Sequence, residues 1–261
     1  MDSETSQNDV QATAPVQTQS NPFIIPGAIL IGFALIAAAI FFSGNTSPAP
    51  VAGNPTPGAN QQEAQGGGEV RPVDADDHIR GNPNAPIVIV EYSDYDCPFC
   101  KNYHETMSRV MDDYGASGQV AWVYRHFPIE QLHPNAPVLS LASECVAELG
   151  GNDAFWSFSD LIFGEREANQ QTNVTKLGDY ASRAGVNEID FNACVESGEL
   201  KNKVEEDFAD AANAGAQGTP YSLVLVGGQQ GVINGAQPYE AVKQILDTLI
   251  GQIEGGTTHE G

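Results

Sequence analysis

Positive charge is scarce in this chain of 261 residues: 11 Lys and Arg stand against 34 Asp and Glu, a formal net charge of -23. No Lys or Arg precedes Arg71. Phosphate-rich partners need clustered cations, so nucleic acid and anionic membrane surfaces are excluded as ligands. The acidic excess reads as a solubilising surface. No internal repeat is present, which leaves a single-core domain of ordinary size plus appendages. Cysteine is also sparse, with four in all. There is one C-x-x-C, without a second pair or an ordered His pair to complete four ligands, which argues against a zinc site.

What is present begins with a polar stretch, residues 1–22, containing Asp2, Glu4 and Asp9 without periodicity. It reads as a disordered cytoplasmic head. Next comes FIIPGAILIGFALIAAAIFF, Phe23 to Phe42, a run without a charge. At about 1.5 Å per residue it spans a hydrocarbon core of roughly 30 Å. A cleaved signal peptide would carry a positive n-region, a shorter apolar stretch and a small-x-small site, so an uncleaved anchor is the expectation. The positive-inside rule is silent on its orientation, because neither flank is basic. Residues 43–71, rich in Gly, Pro, Asn and Gln, are expected to form a flexible linker. The folded domain is placed at 72–261.

Within that domain, APIVIVEYS (Ala85 to Ser93) has the length and continuous apolarity of a buried strand. After Pro98, the residues Tyr103, Met107, Val110, Met111 and Tyr114 recur at helical spacing up to Gly115. QVAWVYRHFP (Gln119 to Pro128) reads as a second strand, completing a β-α-β unit. Helical periodicity dominates about 134–215. Pro220 to Gly235 then shows two strand-like runs around Gly227 and Gly228, and Tyr239 to Ile253 carries one apolar helix face. The expected class is α/β: β-α-β, a helical insertion, then β-β-α.

The C-x-x-C, Cys97-Pro98-Phe99-Cys100, falls at the start of the first helix. Sulfurs at i and i+3 come within bonding distance, and the first faces unpaired backbone N–H groups that favour an anion. Cys97 is therefore expected to be an acidified attacking thiol, and Cys100 a buried resolving one. A metal clip and a purely structural bridge are the alternatives; so short a loop removes little unfolded-chain entropy. Asp94 and Asp96 add like charge and Phe99 offers no hydrogen bond, so Cys97 is expected to be less acidic than in the strongest oxidants.

Two further positions bear on the redox reading. Glu91 stands on the buried strand, where a carboxylate is costly unless it has a task; it either relays the proton of Cys100 or reaches water at the strand end. Thr219-Pro220 precedes an apolar run, a place where proline cannot donate to a ladder, and reflects either a cis bond in a tight turn or an ordinary trans one.

GNPNAPIVIVEYSDYDCPFCKNYHE, YRHFPIEQLHPNA, FNACVESGE and GAQGTPYSLVLVGG together resemble the DsbA-like thiol-disulfide oxidoreductases of the thioredoxin superfamily, in their membrane-anchored bacterial branch. The likeness runs from about Val73 to Ile253. It implies a thioredoxin-like fold with an inserted helical domain. It further implies Cys97 as nucleophile, Cys100 as resolving cysteine, Glu91 as buried carboxylate and Pro220 as a cis-proline facing the disulfide, with Thr219 offering its backbone to substrate beside Pro98 and Phe99. The best-known members have His where this chain has Phe99, which leaves the oxidising strength open.

Cys145 and Cys194 are the natural remaining pair; bonded, they close a loop of about 50 residues, valued at roughly 4 kcal/mol. Two buried free thiols are the alternative. An even, bridged set favours an oxidising compartment, which places the domain outside the cytoplasm. His104, His126 and His133 form no triad by spacing and are read as surface or supporting groups. The resulting expectation is a single-pass cell-membrane enzyme, monomeric, that oxidises exported proteins with free cysteines. It would use no cofactor beyond the Cys97–Cys100 disulfide and no metal, and the resemblance implies reoxidation by a quinone-linked membrane partner. An isomerase or reductase using the same site, and a non-catalytic anchored binding module, are the other readings.

Overall fold

The computed structural model describes residues 68, 70–167 and 169–257. Five strands form one sheet: β1 (His78–Gly81), β2 (Ile87–Ser93), β3 (Val120–His126), β4 (Tyr221–Val226) and β5 (Gln229–Asn234). Their order is β1-β3-β2-β4-β5, with β2 and β3 parallel and every other pair antiparallel. The parallel pair is joined by α1 (Pro98–Val110), which runs on into a wider turn at Met111–Gly115. Between β3 and β4 lie α2 (Ala136–Glu165), α3 (Leu177–Arg183), α4 (Glu188–Ser197) and α5 (Lys201–Asn213), and α6 (Tyr239–Thr257) closes the chain. The expected β-α-β, helical insertion and β-β-α are all present. β1 was not expected; HIRG is too short and too polar to show strand periodicity, and it forms by pairing with the edge of β3.

Side chains alternate across a sheet, so each strand feeds two cores. Ile87 and Ile89 of β2, Val120 and Trp122 of β3 and Val224 of β4 join α1, α2 and α6 in the larger one. Val90, Tyr92, Val123 and Leu223 face the other way, toward Ala211 and Ala214 at the end of α5. α2 is broken at Gly151, whose φ of +77° is left-handed and suits a residue without Cβ.

Ordered packing starts earlier than Pro72. Arg71, assigned to the linker on composition, bonds Asp77 and Asp207 through Nη2 at 3.0 Å each, and its N–H donates to Asp210 at 2.8 Å. Arg125, fully buried on β3, holds the same Asp77 and Asp210. This buried charge network fixes the entry segment and α5 to one face of the sheet. Cys145 of α2 is bonded to Cys194 of α4, so the insertion is cross-linked internally. Among the described residues no helix is long and apolar enough to cross a membrane. The head at 1–22, the run Phe23 to Phe42 and nearly all of the 43–71 linker lie outside them.

Candidate active site

Cys97 is the N-cap of α1, with extended φ and ψ, and Pro98 occupies the first turn, where its missing N–H costs nothing. The two cysteines are not bonded to each other here, and both are buried. The Cys97 thiol is pushed down to about 6, first by a hydrogen bond from Cys100, against burial, and then with help from Thr219 and the backbone N–H groups of Cys100 and Phe99. The carbonyl of Thr219 lies 3.5 Å from the Cys97 sulfur and accepts only from the protonated thiol, so the thiolate owes its stability to the donors. Burial pushes Cys100 well up, and the nearby Cys97 and Glu91 push it further. One sulfur is thus prepared to ionise and the other to hold its proton.

Glu91 sits beneath the pair on β2, 1% exposed. Burial raises its carboxyl to about 7, opposed by Ser93 and by the Trp122 indole, which donates to Oε2 at 2.9 Å. The carboxylate does not reach water at a strand end, so that alternative falls. The Thr219–Pro220 bond is cis. Phe99 is 62% exposed on the first turn of α1, an apolar side chain standing beside the buried sulfurs. Cys97, Pro98, Phe99, Cys100, Glu91, Thr219 and Pro220 are therefore brought to one end of the sheet.

Asp94 and Asp96, read from the sequence as like charges beside Cys97, are both tied into the loop by hydrogen bonds. Asp94 Oδ1 accepts from the Asp96 N–H at 2.8 Å, and its Oδ2 accepts from Ile129 N–H and bonds His133 Nδ1, each at 2.8 Å. Asp96 accepts from Thr172 N–H. Both carboxylates are occupied in tying the active-site loop to its neighbours. Sequence reading also missed Arg166, at the end of α2, whose Nη2 donates to the Cys97 carbonyl at 2.9 Å and places a buried cation near both sulfurs. Its signal was absent, because 69 residues of chain separate the partners.

Of the three histidines read as surface or supporting groups, His104 and His126 are buried and His133 is half-buried, which fits the supporting role. His104 on α1 is buried, bonds Asp160 at 2.7 Å and stacks on Phe163. His126 and His78 both bond Glu144 Oε1 at 2.7 Å, while Lys203 lies 2.9 Å from Oε2. Two imidazoles and a carboxylate are also a possible metal-ligand set. Here Lys203 already supplies the cation to Glu144.

A family model described as thioredoxin matches residues 74–248, two-thirds of the chain. The chain belongs to the thioredoxin family. Among solved structures it resembles BdbD from Bacillus subtilis in its oxidised form, at 22% identity and a TM-score of 0.60, over 72% of this chain and 100% of that one. DsbA2 of Pseudomonas aeruginosa matches at 24% identity and 0.56, over 68% and 96% of the two chains. The thiol-disulfide exchange protein α-DsbA2 of Wolbachia pipientis matches at 20% and 0.56, over 67% and 88%. At these identities the likeness is one of fold, a thioredoxin-like sheet with a helical insertion. Curated relatives include the Na(+)/H(+) antiporter NhaA 1 of Mycolicibacterium gilvum, 32% identical over 158 residues, which are 59% of this chain and 24% of that protein. The chain spans about a quarter of the length of such relatives.

Proposed function

We propose that this protein is an extracytoplasmic thiol-disulfide oxidoreductase that forms disulfides in exported proteins. The observation that carries the reading is the split between two neighbouring thiols, Cys97 pushed down to about 6 and Cys100 pushed well up beside a carboxyl raised to about 7. Such a pair suits dithiol–disulfide exchange.

In the oxidised enzyme a substrate thiolate attacks the Cys97 sulfur, forming one S–S bond while the Cys97–Cys100 bond breaks. Cys100 leaves with the electron pair and takes a proton through Glu91. A second substrate thiolate then attacks the substrate sulfur of the mixed disulfide and expels Cys97 as thiolate. The substrate is oxidised by two electrons and the enzyme holds a dithiol, which a membrane reoxidase linked to quinone would return to the disulfide. Thr219 and cis-Pro220 present backbone beside Cys97 for an extended substrate chain, and Pro98 and Phe99 supply an apolar contact. The charge-free run Phe23 to Phe42 would anchor a monomer in the cell membrane, with residues 43–71 as its tether.

The acidity of Cys97 bears on the direction of net transfer. A value of about 6 lies between roughly 7 for thioredoxin and roughly 3.5 for DsbA, which supports a mild oxidant. Isomerase or reductase action of the same site is the second reading that this acidity favours. A non-catalytic binding module is disfavoured, since a binding surface needs no such split of thiol acidities.

The test is oxidation of a reduced, unfolded protein by the purified full chain. Activity is expected, with complete loss in Cys97→Ser and accumulation of mixed disulfides in Cys100→Ser. Full activity of Cys97→Ser would sink the assignment.

A further inference from the structure

The core face of the sheet changes character along its length. At one end it is apolar, with Ile87, Ile89, Val120 and Val224. Two residues further along each strand, toward the cysteines, it turns polar: Glu91 and Ser93 on β2 stand in register with Tyr124 and His126 on β3, and Ser222 on β4 is opposite Glu91. All five are buried. Such a stripe is expensive in a core, where an unpaired hydroxyl or amide costs on the order of 1–3 kcal/mol. An apolar continuation of the same face would avoid that cost.

We propose that this stripe, Glu91, Ser93, Tyr124 and His126, continued through Glu144 to Lys203, is the route by which the proton of the buried Cys100 thiol exchanges with solvent. The inference rests on the redox reading given above and assigns it a second, rearward opening.

The geometry supports each link. Glu91 Oε1, Ser93 Oγ, Tyr124 Oη and His126 Nδ1 are buried and have no hydrogen-bond partner among the described residues. Ser93 nonetheless lies close enough to Glu91, Cys100 and Tyr124 to shift all three, and the Tyr124 and His126 ring centroids are 5.4 Å apart, so these groups are neighbours along one stretch of core. Buried polar atoms in this relation are commonly joined by ordered water, which conducts protons as well as completing hydrogen bonds. The other nitrogen of His126, Nε2, bonds Glu144 at 2.7 Å, so the imidazole joins the stripe to the cluster behind it. Glu144 in turn is 2.9 Å from Lys203, whose side chain is 28% exposed. The groups facing His126 are Tyr95 and Tyr124 by ring contact, His78 and Glu144 in the cluster, and Asp207, which accepts from its backbone N–H.

The need for a rear opening follows from the reaction. Cys100 takes up its proton as the mixed disulfide forms, when a substrate chain covers Cys97 and the front of the site. A route through His126 and Glu144 ends at the partly exposed Lys203 of α5 and does not pass the covered thiol. Tyr124 and His126 act through Glu91 and are positioning residues, with the thiols and Glu91 as the reacting groups.

A conduit alters rates and leaves equilibria alone, and this distinguishes it from a structural role. The experiment uses the full chain in the disulfide form and a reduced dithiol peptide, in single-turnover mode, in H2O and D2O. The equilibrium constant with glutathione is measured in parallel. Tyr124→Phe and His126→Gln are each expected to slow the turnover about a hundredfold, the low end of what a proton-transfer group contributes, and to raise the solvent isotope effect. The glutathione equilibrium is expected to stay within twofold of wild type. Turnover at the wild-type rate in Tyr124→Phe overturns the route, as does a rate loss matched by an equal shift in the equilibrium. If His126→Gln does not fold, the near-isosteric Tyr124→Phe decides. An inactive wild-type chain would instead overturn the redox reading itself.

Discussion

The Trp122 indole donates to Glu91 Oε2 across 2.9 Å, while Oε1 of the same carboxyl has no hydrogen-bond partner among the described residues. Ser93 and Trp122 together only partly compensate the carboxylate for its burial, so the group titrates near neutrality, at about 7. Because the folded value exceeds the unfolded one, the stabilising contribution of neutral Glu91 is complete below about 4.5 and is lost as pH rises through about 7. Reduced Glu91→Gln protein is therefore expected to gain on wild type as pH rises across that window, by about 3 kcal/mol at most. Urea unfolding at pH 4.5 and pH 8.5 checks this, and equal differences at both would contradict it. Trp122→Phe is expected to move the Glu91 titration upward, seen by carboxyl NMR.

Cys97 offers the opposite sign. Its folded value is depressed from 9.0 to about 6, so the stability it contributes to the reduced protein is present above about 9 and is lost as pH falls through about 6. Thiolate absorbance of the reduced chain is expected to show a midpoint near 6. Cys100→Ala removes the largest stabilising donor and is expected to raise that midpoint by about one unit, since one unit corresponds to about 1.4 kcal/mol, the usual worth of a hydrogen bond to a charged group. An unchanged midpoint would show that the helix N–H groups alone set the acidity.

The Cys145–Cys194 bond joins α2 to α4 across 49 residues. Replacing both by Ala is expected to lower unfolding stability by roughly 4 kcal/mol, through the freedom returned to the unfolded chain. The variant should keep its exchange activity, because neither sulfur lies among the residues gathered at Cys97. Denaturant unfolding and the peptide oxidation assay measure the two effects separately.

Local pattern carried much of this fold into the sequence. Ala85 to Ser93 and Gln119 to Pro128 are legible as strands because they are apolar, and the α1 face is legible because Tyr103 and Met107 repeat at helical spacing. Cys97, Cys100 and the burial of Glu91 follow from the same local pattern. What spacing does not encode is contact across the insertion. Arg166 reaches Cys97, and His78 and His126 share Glu144, only because the chain between them folds back; β1 exists only as a partner for β3. The tethering of Asp94 and Asp96 is hidden for the same reason, since Ile129, His133 and Thr172 supply most of their donors.

The charged network behind β3 gives the last prediction. Arg125 is fully buried and binds Asp77 through Nε and Nη2, both at 2.8 Å, while Nη1 binds Asp210 at 2.7 Å. Arg71 shares Asp77 from the entry segment. Asp77→Asn preserves shape but leaves the buried Arg125 and the partly exposed Arg71 with one carboxylate fewer, and breaking a buried pair in this way costs roughly 3–5 kcal/mol. Asp77 is also held below its usual range: burial alone would raise it, and Arg125 and Arg71 together more than offset that. Its contribution is present above about 4 and lost in acid, so the wild-type advantage over Asp77→Asn should shrink as pH falls below that value. Urea unfolding at pH 7 and pH 3 measures it. A constant difference between the two conditions would mean that the loss comes from packing and that the Asp77 charge contributes nothing.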